Sequence, residues 1–132
     1  MNYCKIGGKV WDVLVTAINE SFEILYSSNT GRTLAEGEMT LDPIGTFFNH
    51  KVTVQRKKGY ERQYDDLYDY ISIPRFSGID VEIVHNQDSI KYKAYISKGS
   101  RDLKRIDLTT NTVYWDALTL NIVPIKAQVL PK

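Results

Sequence analysis

The chain has 132 residues, enough for one domain that buries roughly two thirds of the surface an unfolded chain exposes. Seventeen basic and sixteen acidic side chains leave a net charge of +1, which gives little electrostatic drive toward nucleic acid or a membrane surface. The lone cysteine, Cys4, excludes an intrachain disulfide, and no apolar run approaches the roughly 18 residues of a membrane span, so a soluble protein made in the cytoplasm is expected.

The elements follow in order. Ile6 and Val10 flank Gly7-Gly8, a dipeptide suited to a tight turn, and predict a small hairpin over Tyr3 to Val10. Val13 and Val15, then Phe22, Ile24 and Tyr26, alternate with period two, while Ala17 to Ser21 shifts the parity. The prediction is one long strand with a bulge or bend inside it. Ser27 to Thr33 is a polar turn cluster, and the stretch up to Gly37 is too poor in apolar residues to sit in a core, so an exposed, mobile loop is expected. Met39, Leu41 and Ile44 resume an apolar pattern interrupted by Asp42-Pro43 and Gly45, which favour a turn or a sheet edge. Val52 and Val54, alternating with Lys51, Thr53 and Gln55, form a half-buried strand.

One helix interrupts the strands. Tyr60, Tyr64, Leu67, Tyr68 and Ile71 recur at helical spacing, a single apolar face over Tyr60 to Ile71 that Pro74 must end. On its polar side Arg62 and Asp66 stand four apart, a pair worth a few tenths of a kcal/mol. Ile79, Val81 and Ile83, a turn at His85 to Asp88, and Ile90, Tyr92, Ala94 and Ile96 make the clearest hairpin. Lys98 to Arg101 reads as another loop, followed by Leu103 to Leu108, a turn at Thr109 to Thr112, and a last strand through Trp115, Leu118, Leu120 and Ile122. A parity change places a bulge near Asp116, and the short tail from Lys126 to Lys132 is free to pack on a neighbour. The fold class is therefore a single mainly-β domain over residues 1–132, a sandwich or barrel of two packed antiparallel sheets with one amphipathic helix.

Candidate chemistry is sparse. Cys4 has no neighbouring His or helix N-terminus and reads as a small buried apolar group. His50 and His85 lie in no metal-ligand or catalytic spacing, and His85 is placed in a hairpin turn as a solvated or turn-stabilising side chain. Asp65, Asp66 and Asp69 read as the solvated face of the helix, because a hard cation wants six or more oxygens. Gly7-Gly8 lacks the helix and lysine of a phosphate loop. No catalytic residue, cofactor or metal is expected. Two basic clusters remain, Arg56, Lys57, Lys58 and Arg62 around the helix start and Lys98, Arg101, Lys104 and Arg105 further on. With Tyr60 and Tyr64 they offer the charged groove and stacking platform of a single-strand nucleic-acid binder. The near-neutral charge and the use of those tyrosines on the apolar helix face weigh against that ligand, and a basic loop serves equally to meet an acidic protein surface.

With the elements in order, the chain resembles the small tail proteins of bacteriophages and prophages of Gram-positive hosts. The resemblance lies in Lys5-Ile6-Gly7-Gly8-Lys9, Asn29-Thr30-Gly31-Arg32-Thr33, Leu41-Asp42-Pro43-Ile44-Gly45-Thr46-Phe47, Val52-Thr53-Val54-Gln55-Arg56 and Ile79-Asp80-Val81-Glu82-Ile83-Val84-His85-Asn86. It is a likeness of layout, spread over nearly the whole chain. It implies the tail-tube fold shared by tube subunits, the N-terminal domain of distal tail proteins and baseplate hubs, with the helix closing one end of the sandwich and the loop at 27–38 reaching the next subunit.

The resemblance further implies a structural, non-enzymatic subunit of a tail tube, distal tail or baseplate ring, located in the virion tail and assembled in the host cytoplasm. Its partners would be further copies of itself and other tail proteins, with no membrane and no specific nucleic-acid ligand. Asn29, Thr30, Gly31, Arg32, Thr33, Arg56, Lys57, Lys58 and Arg101 are the residues expected at the subunit interface. Sheet edges, polar loops and nine tyrosines suit such heterologous contacts. The rival expectation is a small β-barrel module binding single-stranded nucleic acid through Arg56, Lys57, Lys58, Arg101, Lys104 and Arg105. An enzyme ranks third, for want of an acid, base and nucleophile.

Overall fold

Period-two alternation becomes strand along most of the chain. The computed structural model describes residues 4–32 and 37–132, which form β1 (Cys4–Ile6), β2 (Val13–Tyr26), β3 (Gly31–Arg32), β4 (Met39–Thr40), β5 (Pro43–Arg56), α1 (Glu61–Ile71), β6 (Ile79–His85), β7 (Asp88–Asp107) and β8 (Thr112–Pro124). The protein is mainly β, with two antiparallel sheets and a single helix among the described residues. Six strands pair in the order β1-β6-β7-β8-β5-β2, and β3 and β4 form a separate two-residue ribbon. The sheet keeps two edges, β1 and β2, so it is curled without being closed into a barrel.

The core lies on one face of the large sheet. Val52 and Val54 of β5, Leu118, Leu120 and Ile122 of β8, Ala94 of β7, Val81 and Ile83 of β6 and Ile6 of β1 all point to it. The helix lays Tyr64, Leu67 and Ile71 onto these residues. Burying each of those side chains contributes about 1.5–3 kcal/mol. Tyr60, expected on the buried face, is instead the N-cap residue and stays half exposed, because the helix starts one residue later at Glu61. Backbone N–H groups of Ser72 and Ile73 close the last turn on the carbonyls of Tyr68 and Tyr70, and Pro74 then prevents continuation.

Turns and bulges fall close to their sequence signals. Gly7 and Gly8 both take positive φ, +68° and +73°, and a Cβ at Gly7 would run into the Tyr70 ring. Ile6 and Lys9 close this turn, yet β1 takes its sheet partner from β6. The first bulge sits at Thr16, just ahead of the expected Ala17 to Ser21, and the strand continues unbroken to Tyr26. The extra residues Asp116 and Ala117 make the predicted irregularity in β8.

Two expectations are corrected. Lys98 to Arg101 is strand, part of a twenty-residue β7 whose polar stretch pairs with Leu118 to Asn121 of β8. Register shifts on either side absorb the parity change that made it look like a loop. The tail packs on its own chain: Val129 bridges Thr46, and the Gln128 side chain accepts from the Phe48 N–H at 3.0 Å and donates to its carbonyl at 3.1 Å. Because β8 pairs with β5 only as far as His50, the tail takes up the β5 backbone groups that lie beyond.

Register also sets the shape. β5 pairs with β8 only over His50 to Val54, but with β2 over its whole length. The β2–β5 hairpin therefore runs past the core at the end carrying residues 43–49. The β7–β8 hairpin runs past it at the opposite end, from Trp115 down to the turn at 108–111. Both extensions carry exposed apolar side chains, Phe22, Ile24 and Ile44 on the first and Leu103, Ile106 and Leu108 on the second.

Candidate functional site

The two basic clusters, separated in sequence by the helix and a hairpin, meet at one corner of the fold. Arg56 ends β5, Arg105 lies opposite Tyr114 in the β7–β8 ladder, and both guanidinium groups sit over the Tyr114 ring, at 5.1 and 4.3 Å from its centroid. Lys57 lies 5.0 Å over Tyr60. Arg56, Lys58 and Lys104 line a cavity of about 380 Å³ together with Gln55, Glu61, Trp115 and the Asp116–Ala117 bulge. Among the described residues, Arg56, Lys58, Lys104 and Arg105 form no ion pair. Glu61 lines the same cavity, likewise without an ion pair, and its carboxylate accepts the Gly59 N–H at 3.3 Å. Backbone N–H groups, its own and that of Gly59, hold its pKa below the usual range, with Arg56 and Lys58 adding a smaller pull.

Arg101, expected at an interface, is occupied within the chain. Its side chain is 13% exposed and donates to Asp65 Oδ1 at 3.0 Å. The guanidinium lies 3.8 Å from the Tyr68 ring centroid and 4.0 Å from that of Trp115. A planar cation between two aromatic faces with one carboxylate at its edge is a structural rivet holding α1 to the β7–β8 hairpin. Tyr64 completes it by donating its hydroxyl to the Asp116 carbonyl at 2.6 Å, and burial pushes its pKa up despite the opposing charge of Arg101. Asp65 therefore pairs with Arg101, and no Arg62–Asp66 ion pair forms among the described residues.

Of the arm expected at 27–38, residues 27–32 and 37–38 are described; they are partly or fully exposed, and hydrogen bonds tie the base. The Asp42 carboxylate accepts from Ser27 Oγ, the Asp42 N–H donates to Thr30 Oγ1 at 2.8 Å, and Asn29 N–H donates to Ser27 Oγ at 3.1 Å. Gly31 and Arg32 pair with Thr40 and Met39, and the Arg32 guanidinium donates to the Gly37 carbonyl at 2.6 Å. Part of the expected loop is thus a ribbon. Thr33 lies outside the described residues.

A polar cluster that escaped the sequence reading ties the curled sheet together. Glu20 on the edge strand β2 accepts at one oxygen from His50 Nε2 on β5 and His85 Nδ1 at the end of β6, each at 2.9 Å. His50 Nδ1 lies 2.6 Å from the Tyr92 hydroxyl on β7. Neutral His50 with its proton on Nε2 satisfies both contacts, since Tyr92 can then donate to Nδ1. His50 is 1% exposed, and burial lowers its pKa against the opposing pull of Glu20. Burial also raises the Tyr92 pKa and lifts that of Cys4 to about 11, leaving a protonated, unreactive thiol. The signal for His50 was present in its parity with Val52 and Val54; the signal for its partners was not, because they come from three other strands.

Among the described residues no group of three or more His, Cys, Asp or Glu is placed to hold a metal ion, and no helix is long and apolar enough to cross a membrane. No protein-family model matches the chain, and no curated protein is significantly similar to it.

Proposed function

We propose that the protein is a structural subunit of a bacteriophage or prophage tail, without catalytic activity, that assembles into rings through its sheet edges and arms. The single observation behind this reading is an unfinished core on β2. Phe22 pairs with Phe48 across the ladder, and both share the parity of Glu20 and His50, which face the core. Phe22 and Ile24 therefore lie on the core-facing side of the sheet, yet they are 66% and 42% exposed, since among the described residues neither helix nor sheet reaches over them. An edge strand of fourteen residues with no buried side chain also leaves its outer backbone groups free for another chain.

Identical copies meeting through two different patches close into a ring when the rotation allows it. Arms projecting from opposite ends supply two such patches, and the resemblance in layout to phage tail proteins supplies the setting: a position in the virion tail, with other tail proteins as neighbours. Electron microscopy and sedimentation of the purified chain at rising concentration test the reading. Rings or short tubes are expected, and the double substitution Phe22→Ser with Ile24→Ser should return a folded monomer. A chain that stays monomeric at every concentration overturns it.

A further inference from the structure

The corner at Tyr114 has the form of a binding site. Two guanidinium groups, from β5 and β7, lie 5.1 and 4.3 Å from the centroid of one tyrosine ring, which gathers them before any ligand arrives. Two lysines, Lys58 and Lys104, line the adjoining cavity, which Arg56 shares. The four cations form no ion pair among the described residues and outnumber the two carboxylates of the cavity, Glu61 and Asp116, so the corner keeps an excess of positive charge that gains from an anionic partner.

The cavity wall narrows the choice of anion. Its volume of about 380 Å³ suits a side chain or short peptide segment. Besides the cations it presents acceptors: Gln55, Glu61 and Asp116, the last already accepting the Ala117 N–H through one carboxylate oxygen at 3.0 Å. A phosphodiester backbone brings negative charge and no N–H donors, so it meets Glu61 and Asp116 unfavourably. A peptide brings both: carboxylates for the arginines and lysines, and backbone N–H groups for the acceptors. The Trp115 edge offers apolar contact to the methylene groups of Asp or Glu.

We propose that this corner binds an acidic peptide segment of a partner protein: Arg56, which lines the cavity, and Arg105, which lies outside it beside the same Tyr114 ring, receive its carboxylates, Lys58 and Lys104 neutralise its flanks, and Glu61 and Asp116 accept its backbone N–H groups. The site stands on the cavity and its side chains, independently of ring formation, so either can fail without the other.

The two indole N–H groups provide the readout. Trp115 lines the cavity, while Trp11 is fixed elsewhere by donating to the Ile6 carbonyl at 2.9 Å and serves as an internal reference. A capped peptide alternating Asp and Glu is titrated into the labelled chain and followed by nuclear magnetic resonance. The Trp115 indole and Ala117 amide signals should shift saturably, Trp11 should not, and the Asn/Gln counterpart should have no effect. Arg56→Gln with Arg105→Gln should weaken the peptide by about tenfold or more. Lys104→Gln, at an exposed position, gives a smaller loss without risk to folding. The absence of a Trp115 shift, or an affinity indifferent to these substitutions, overturns the proposal. So does an oligothymidylate that binds the corner more tightly than the acidic peptide and weakens steeply with salt, which would make the ligand nucleic acid.

Discussion

Strands β2 and β8 are nearly equal in length, fourteen and thirteen residues, and both alternate apolar side chains. In β8, Leu118, Leu120 and Ile122 are fully buried; in β2 no residue is. Strand-forming propensity and alternation are shared, so neither explains the contrast. Place does: β8 lies between two strands and under the helix, whereas β2 is an edge whose distal half runs beyond the core. Alternation specifies a strand with two different faces, but burial needs a second layer, and among the described residues none covers β2.

The largest expected effect comes from the buried strand. Leu120→Ala should destabilise the monomer by about 2–5 kcal/mol in urea unfolding, the cost of lost transfer energy plus a cavity in a packed core. A far smaller loss would mean that the helix does not seal β8.

The junction between the two regions is the Glu20, His50, His85 and Tyr92 cluster, and pH should loosen it. Burial, only partly opposed by Glu20, holds the folded His50 pKa below its ordinary 6.5. The unfolded chain therefore takes up a proton first, and stability that is complete above that pH declines as the pH falls below it. Glu20 adds a second decline below its ordinary 4.5: burial works to raise its pKa, but the hydrogen bonds from His85 and then His50 prevail and lower it. Urea midpoints measured against pH should show the first decline in the natural chain and lack it in His50→Gln. A decline that persists in the variant would assign it to other groups.

The smallest expected effect sharpens the comparison most. Phe22→Ala should change monomer stability by no more than about 0.5 kcal/mol, as for other exposed sites. A loss comparable to that of Leu120→Ala would show that β2 is packed within the monomer, and would remove the reason for giving it a partner.

Much of the architecture was legible in order of residues. Helical spacing at Tyr64, Leu67 and Ile71 located the only helix among the described residues, Gly7-Gly8 located a turn, and the parity change between Trp115 and Leu118 located a bulge. These signals are local, set by backbone geometry within a few residues. Lys98 to Arg101 shows where locality fails: a polar, glycine-containing stretch became strand because β8 offered it a ladder. The candidate site was half legible. Both basic clusters could be seen, but their meeting over Tyr114, and the withdrawal of Arg101 into a stack between Tyr68 and Trp115, could not.

The sequence by itself thus determined most of the strand segments, where the helix lies and which residues share a parity, because φ/ψ preferences and alternation act between near neighbours. Only the tertiary structure decided which parity is covered, which cations stay unpaired and that Glu20 of one edge would meet His85 near the other. Those outcomes depend on how the sheet curls and on strand order, which bring together residues dozens of positions apart and leave Phe22 and Ile24 facing the core side yet exposed.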